Sequence, residues 1–291
     1  MDIISSAVFG ALRGLFSGLP VSADGIAEAV FHFFKPEAAS AADLAALACA
    51  GAVLAFALRY IKQVAAAVKD TAVMLFRMCG SGFSYEEDST AAQRDTVMLL
   101  VSMVPALVPL LAGDSLRATS SDGDIVVEGV SFLVCGAFLL AACRSPRGRK
   151  GDGSVSLLHS LLLGLAAMAG VFPGISAFSA VLSAALMMGY SAEYSVRRAA
   201  LISAPYALIN SVAVFGGFGD PAALPGWEIC LACAGAALVT AFAAVWLSGF
   251  AAKKEKMSLF AYIMIAAGVV LTVIGAVETA AGVPIAELIA G

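Results

Sequence analysis

Residues 155–189 read VSLLHSLLLGLAAMAGVFPGISAFSAVLSAALMMG, an apolar segment interrupted in its middle by Phe172, Pro173 and Gly174. Residues 3–34 are interrupted in a similar way, at residues 18–20 and again at residues 24–25. Each interruption leaves two arms of roughly 10–17 residues, which are too short to cross about 30 Å of hydrocarbon as straight helices. The sequence therefore predicts two helical hairpins that enter the membrane and turn back.

The composition places the whole chain in a membrane. Of its 291 residues 61% are hydrophobic and 13% are charged, and the mean hydropathy is +0.94, whereas a soluble domain has about 25% charged residues. Six further segments are long and apolar enough to span the bilayer: 42–58, 95–113, 125–143, 196–215, 227–250 and 258–277. We expect an all-α polytopic membrane protein with six transmembrane helices and two re-entrant hairpins.

The charge balance excludes nucleic acid as a partner. The formal net charge is -4 and the sequence pI is about 5.2. Nucleic-acid binding needs a basic surface that neutralises phosphates, and this chain offers none of that kind. The lipid bilayer is the partner that the composition indicates.

Lysine and arginine gather at particular segment ends and predict the orientation of the chain. They follow the spans that end at residues 58, 143 and 250, and Arg197 and Arg198 are expected to anchor the start of the span at 196. All of them lie in the cytoplasm only if both interrupted segments return to the side from which they entered. Both termini are then outside, and residues 1–291 form one integral membrane domain of two inverted repeats: 1–143, with hairpin 3–34 and three spans, and 155–291, with hairpin 155–189 and three spans.

The two interruptions carry similar residues, which supports the inverted repeat. Leu19, Pro20, Val21 and Ser22 correspond to the run FPGIS at residues 172–176. Interrupted helices offer free backbone N–H groups and positive dipole ends, and inverted repeats place such elements near the membrane midplane. An anion site is therefore expected there. The alternative is that Pro and Gly merely kink two membrane helices.

Ionisable side chains within the first hairpin are candidates for function, because such residues are rare in membrane segments. Asp24 and Glu28 are four residues apart and share one face of a helix that begins near Gly25. Arg13 is the cation of the first arm. Structural alternatives stay open: Asp24 caps the helix, Arg13 pairs with Asp24 or Glu28 without a ligand, and Glu28 is solvated near the outer interface.

Both hairpins resemble the signature regions of the undecaprenyl-diphosphate phosphatases, membrane enzymes that recycle the polyprenyl carrier lipid of bacterial cell-wall synthesis. The first family signature, G-x-x-E-G-x-x-E-F-L-P-[VI]-S-S-T-G-H, aligns without a gap with GALRGLFSGLPVSADGI at residues 10–26. The second, P-G-x-S-R-S-G-x-T, aligns with PGISAFSAV at residues 173–181. The resemblance identifies a divergent member, because the shared residues mostly shape the backbone: Pro20, Ser22, Gly25, Pro173, Gly174 and Ser176.

The chain departs from the family at the positions that carry chemistry. The two family glutamates align with Arg13 and Ser17, and the family histidine aligns with Ile26. The arginine of the second signature aligns with Ala177.

The resemblance implies a site for a polyprenyl diphosphate or phosphate where the two interruptions meet. The expected catalytic groups are Asp24, Ser22 and Ser176, and the expected phosphate-binding residues are Arg13, Gly174, Ser176 and Ser179. The expected substrate region comprises Ser17, Pro20, Gly25, Glu28 and Pro173. The resemblance also implies Mg²⁺ or Ca²⁺ as cofactor, with its ligands unassigned, and a multi-pass protein of the bacterial plasma membrane; it is compatible with a homodimer.

Three functions follow from these observations. The resemblance implies an acid anhydride hydrolase that dephosphorylates undecaprenyl diphosphate. The absence of the family glutamates and arginine favours the alternative, a protein that binds or translocates a polyprenyl phosphate or another amphiphilic anion without hydrolysis. A scaffold that regulates other membrane proteins is the third hypothesis.

Overall fold

The computed structural model describes residues 3–34, 38–78, 89–120, 125–146, 148–172, 174–216, 226–253 and 256–282. These residues are mainly helical, which confirms the all-α prediction for this part of the chain. The helices are α1 Ile3–Gly18, α2 Ala23–Phe34, α3 Ala38–Arg59, α4 Ile61–Met78, α5 Ala91–Ser120, α6 Ile125–Arg144, α7 Leu157–Met168, α8 Ala177–Met187, α9 Ala192–Gly216, α10 Trp227–Lys253 and α11 Met257–Ala281. A 3-10 turn, Ala169–Val171, extends α7, and an isolated parallel bridge joins Lys150 and Tyr190.

Helices of membrane-spanning length are present. Among the described residues, α6, α10 and α11 are long and apolar enough to cross a bilayer, and α3 with α4 counts as a fourth span at most. The predicted spans at 95–113 and 196–215 fall within α5 and α9, which are 30 and 25 residues long. The count of six spans stays a prediction.

Residues that follow the first predicted span form the helix α4. Its axis is bent by 84° from that of α3, with the break at Tyr60. The segment alternates apolar and polar residues with helical periodicity, so that an exposed apolar stripe runs beside its lysines.

Glycines let α1 lie against α10 with the backbones nearly touching. A Cβ at Gly18 would lie 2.8 Å from the carbonyl oxygen of Ala241, and the Gly18 carbonyl accepts a hydrogen bond from Ser248 at 2.7 Å. Small residues four apart permit such an approach between membrane helices. Because Gly10 faces Cys233 and Gly14 faces Ala237, α1 runs parallel to α10.

The two ends of the second interrupted segment lie together. The Tyr190 hydroxyl, just after α8, lies 2.7 Å from Nδ1 of His159 at the start of α7. The backbone N–H of Lys150, before α7, donates to the carbonyl of Gly189 at 3.2 Å. The α7–α8 segment therefore leaves from and returns to the same place.

One end of the bundle collects the basic residues that the sequence assigns to the cytoplasm. Arg59, Arg197 and Lys253 line one groove, and Arg144 shares a second groove with Lys253. These residues belong to the ends of α3, α6 and α10 and to the start of α9, and we call this region the basic end.

Arg198, expected as an anchor at the start of a span, is buried and held in an ion pair. Its side chain is 2% exposed and forms an ion pair with Asp95 at 3.2 Å. Tyr194 donates to the other oxygen of the Asp95 carboxylate at 2.9 Å. A paired buried charge of this kind joins α5 to α9, whereas the neighbouring Arg197 pairs with the exposed Asp152.

Candidate functional site

The two interruptions of the chain meet at a pair of glycines. A Cβ built at Gly25 would lie 2.7 Å from the Cα of Gly174. Gly174 has a φ of +88°, and a Cβ there would lie 2.6 Å from the Cβ of Ser131 and 2.8 Å from the carbonyl oxygen of Glu128. A side chain at Gly25 would push the two hairpins apart. A side chain at Gly174 would collide with α6 and would also need a backbone conformation that favours glycine.

Each interruption ends in a serine that caps the following helix. The Ser22 hydroxyl oxygen accepts from the N–H of Gly25 at 3.1 Å, and the Ser176 hydroxyl oxygen accepts from the N–H of Ser179 at 3.2 Å. The interpretation of Asp24 as the cap is wrong, because α2 begins at Ala23 and Ser22 holds the position before it. Both serines therefore mark helix N-termini.

Five of the predicted site residues line one cavity of about 70 Å³ between the hairpins: Arg13, Ser17, Ser22, Asp24 and Ser176. The N-termini of α2 and α8 both open on this cavity, which concentrates backbone N–H groups and positive dipole ends there.

The cavity lies below the basic end of the bundle, at a distance that can be read along two helices. Ala52 and Ser203 in its wall lie seven residues before Arg59 and six after Arg197, which is about 10 Å from the basic end along each helix.

Arg13 and Asp24 are joined in this cavity by an ion pair. The Arg13 side chain is 9% exposed and that of Asp24 is 48% exposed. The guanidinium also lies 3.6 Å from the sulfur of Cys49, and its Nε has no hydrogen-bond partner among the described residues. The pairing expected as an alternative from the sequence is thus confirmed, and one donor of the guanidinium remains for a further acceptor.

The other predicted residues lie around the cavity or outside the described ranges. The Ser17 hydroxyl donates to the carbonyl of Arg13 at 2.8 Å, and Pro20 is buried in the turn between α1 and α2. Ser179 is buried but does not line the cavity. Pro173 and the side chain of Glu28 fall outside the described parts of the structure, so their expected roles stay predictions.

Helices α3 and α9 contribute walls that the sequence did not predict. Cys49 and Phe56 come from α3, and Ser203 and Tyr206 come from α9. These residues lie far in sequence from both signatures, and only the packing of the helices brings them to the cavity. The sequence signal near these residues is Pro205, a proline inside α9 that precedes the cavity residue Tyr206.

The described side chains do not form a complete ligand set for a divalent cation. They contain no group of three His, Cys, Asp or Glu side chains placed to hold a metal. Asp24 is the carboxylate that the described cavity wall offers, and Arg13 already engages it. Mg²⁺ and Ca²⁺ prefer several oxygen ligands, so the predicted cofactor stays a prediction and finds no ligand set among these side chains.

A family profile matches most of the chain. The family is described as bacitracin resistance protein BacA, and the match covers residues 6–270. This range includes both interruptions and also every residue that lines the cavity.

Three curated relatives are between 26% and 29% identical to this chain. The Undecaprenyl-diphosphatase 1 of Bacillus licheniformis is 27% identical over 225 residues, covering 75% of this chain and 78% of the relative. The Undecaprenyl-diphosphatase of Oceanobacillus iheyensis is 26% identical over 216 residues, covering 72% and 74%. That of Korarchaeum cryptofilum is 29% identical over 209 residues, covering 70% and 74%.

Proposed function

Because the chain belongs to the bacitracin resistance protein BacA family, we propose that it binds a polyprenyl diphosphate between its hairpins and hydrolyses it to the monophosphate. Relatives named undecaprenyl-diphosphatase support this function. The observation that carries the proposal is the convergence of Arg13, Ser22 and Ser176 on one cavity between two helix N-termini.

The proposed binding mode uses groups that the fold has already oriented. The Ser22 and Ser176 hydroxyl oxygens each accept from a backbone N–H, so the hydroxyl hydrogen of each serine remains to donate to a phosphate oxygen. Arg13 supplies the positive charge, and guanidinium groups bind phosphate through paired donors. The two helix N-termini add partial positive charge at the same place.

The proposed reaction begins when the diphosphate competes with Asp24 for Arg13. Release of Asp24 from the ion pair leaves its carboxylate able to accept a proton. A water molecule then attacks the terminal phosphorus and gives its proton to Asp24. The bond from that phosphorus to the bridging oxygen breaks, and polyprenyl monophosphate and inorganic phosphate are the products. Arg13 and the two serine hydroxyls stabilise the charge on the phosphoryl oxygens, and no step uses a metal ion.

Binding without hydrolysis is the second candidate function. It is favoured by the ion pair between Arg13 and Asp24, because the guanidinium occupies a carboxylate oxygen that hydrolysis would use to accept the proton. Under this hypothesis the lipid phosphate replaces Asp24 on Arg13, and the protein carries or translocates the lipid between facing hairpins.

Phosphate release from undecaprenyl diphosphate by the purified protein in lipid nanodiscs distinguishes the two functions. Hydrolysis predicts release that Ser22→Ala with Ser176→Ala abolishes, while Ser156→Ala, which removes the similar cap of α7, retains it. Binding alone predicts no release but retention of labelled undecaprenyl phosphate that Arg13→Ala loses. If the protein neither releases phosphate nor retains the labelled lipid, both proposals are contradicted.

The topology of six spans, two re-entrant hairpins and two inverted repeats is part of the same proposal, with both termini outside a bacterial plasma membrane. It is supported by the closeness of Tyr190 to His159 and by the parallel course of α1 and α10. In a cysteine-free background, an impermeant reagent should label Ile4→Cys from outside and Gly151→Cys only after the membrane is opened. The reverse pattern would contradict the orientation.

A homodimer is also proposed. Native mass spectrometry of the detergent-released protein measures the number of chains in the complex.

A further inference from the structure

A groove of about 480 Å³ at the basic end is separate from the cavity between the hairpins. It lies at the corner of α3 and α4 and is closed by the start of α9 and the last turns of α10. Four cationic side chains line it: Arg59, Lys62, Arg197 and Lys253. It shares no lining residue with the hairpin cavity.

The charges in this groove do not cancel. Glu193 is the carboxylate that the groove contains, and it pairs with Lys253 at 3.0 Å. The hydrogen bond and charge of Lys253 lower the pKa of Glu193, and the charges of Arg197 and Arg59 lower it further, so Glu193 is ionised at neutral pH. Among the described residues, Arg59 and Lys62 form no ion pair.

Aromatic rings form the wall of the groove on α10. Trp246 and Phe250 are stacked with ring centroids 6.1 Å apart, and their side chains are 58% and 46% exposed. Both lie within the last two turns of α10, a helix of spanning length. Tryptophan at the end of a spanning helix is typical of the level of the lipid headgroups.

The α4 helix places Lys62 at the same level. Since α4 is bent by 84° from α3, it lies close to the membrane plane if α3 crosses the bilayer. Its exposed Val68, Leu75 and Phe76 form an apolar stripe beside Lys62 and Lys69, the arrangement of a helix that lies in the interface. The apolar stripe then contacts acyl chains while the lysines meet headgroups.

We propose that this groove binds the phosphate ester headgroup of an anionic phospholipid in the leaflet at the basic end, with Arg59 and Lys62 contacting the phosphate. Trp246 and Phe250 pack against the glycerol and upper acyl chain. Basic pockets between spanning helices on the cytoplasmic side are suited to such headgroups. The site concerns membrane lipid at the basic end and does not depend on hydrolysis between the hairpins.

Fluorescence of Trp246 tests the proposal in the full-length protein. Trp227→Phe leaves Trp246 as the single tryptophan, because the chain contains two. The protein is placed in phosphatidylcholine vesicles that contain increasing fractions of brominated phosphatidylglycerol or, in parallel, brominated phosphatidylcholine. Stronger quenching by the brominated phosphatidylglycerol measures its enrichment at the groove, and we expect an enrichment of about fivefold for each contacting cation.

The variant Arg59→Gln/Lys62→Gln should remove this enrichment. The matched control Arg149→Gln/Lys256→Gln removes two exposed cations outside the groove and should retain it. An unchanged Trp246 emission maximum in plain phosphatidylcholine vesicles verifies that both variants are folded. Equal quenching by the two brominated lipids in the parent, or equal loss in both double variants, would overturn the proposal.

A soluble arm separates lipid from free phosphate ester. Glycerol phosphate is added to the protein in plain phosphatidylcholine vesicles. An emission change that depends on Arg59 and Lys62 supports recognition of the phosphate ester itself, and a response to phosphatidylglycerol alone supports a lipid-anchored ligand. No response to either compound overturns the site.

Discussion

The guanidinium of Arg13 and the carboxylate of Asp24 form an ion pair that connects α1 to α2 across the break between them. The pair is unequal, because Arg13 is 9% exposed and Asp24 is 48% exposed. Water can therefore hydrate the Asp24 carboxylate when Arg13 is removed, whereas it hydrates the buried Arg13 guanidinium much less when Asp24 is removed. In the proposed site this pair holds the cation in place until a phosphate takes the position of the carboxylate.

Removal of Asp24 should destabilise the protein more than removal of Arg13. Asp24→Asn leaves a buried guanidinium without its counterion, and we expect a loss of about 2 kcal/mol, between the values for exposed and buried pairs. Arg13→Gln leaves a half-exposed carboxylate and should cost about 1 kcal/mol or less. Unfolding of both variants and of the double variant, measured by denaturant titration in micelles, checks this order. A larger loss for Arg13→Gln would contradict it.

The capping serines should contribute both to stability and to phosphate binding. Ser22→Ala and Ser176→Ala each remove a helix cap, at a cost of about 1 kcal/mol, and each removes a hydroxyl from the cavity wall. Ser156→Ala removes the cap of α7, where the serine oxygen accepts from the N–H of His159 at 3.2 Å. It should cost similar stability and leave the affinity for undecaprenyl phosphate unchanged. Equal affinity in all three variants would contradict a role of Ser22 and Ser176 in binding.

Gly174→Ala should loosen the contact between the second hairpin and α6. The φ of +88° disfavours any L side chain, and the added methyl group would collide with Ser131 and with the carbonyl of Glu128. The substitution should cost about 1–3 kcal/mol. Gly151→Ala is the matched control, since no atom lies within 4 Å of the position that its methyl group would occupy. Thermal unfolding followed by tryptophan fluorescence compares the two variants, and equal midpoints would contradict the prediction.

Glu193→Gln should strengthen anion binding in the groove at the basic end. It removes the carboxylate that pairs with Lys253 at 3.0 Å, so the enrichment of phosphatidylglycerol at Trp246 should rise about fivefold. In the parent protein the pKa of Glu193 is lowered by Lys253, and its charge is lost only as the pH falls through that lowered value. The enrichment should therefore stay constant from about pH 8 to about pH 5 and increase below. A decrease on acidification would contradict this reasoning.

Local chemistry explains which features of the fold the sequence predicted. The break between α1 and α2 contains Pro20, and the break between α7 and α8 contains Gly174, whose φ is +88°. Proline lacks a backbone N–H and glycine accepts a positive φ, and both are local properties that favour a break in an apolar run. The cap of α2 is harder to predict, because both Ser22 and Asp24 are residues that cap helices well. The helix begins two residues earlier than expected, and a shift of that size changes the residue at the capping position.

The sequence by itself determined that the chain is helical and apolar, that two of its segments are broken, and that its cations collect at a few helix ends. These are properties of side-chain transfer free energy and backbone conformation, which act within short stretches of chain. Only the tertiary structure decided that Arg13 engages Asp24, that α3 and α9 wall the cavity, and that Arg59, Lys62 and Trp246 form one groove. Those contacts join residues far apart in the sequence, and they depend on how closely the glycines of α1 and the two interruptions allow the helices to approach.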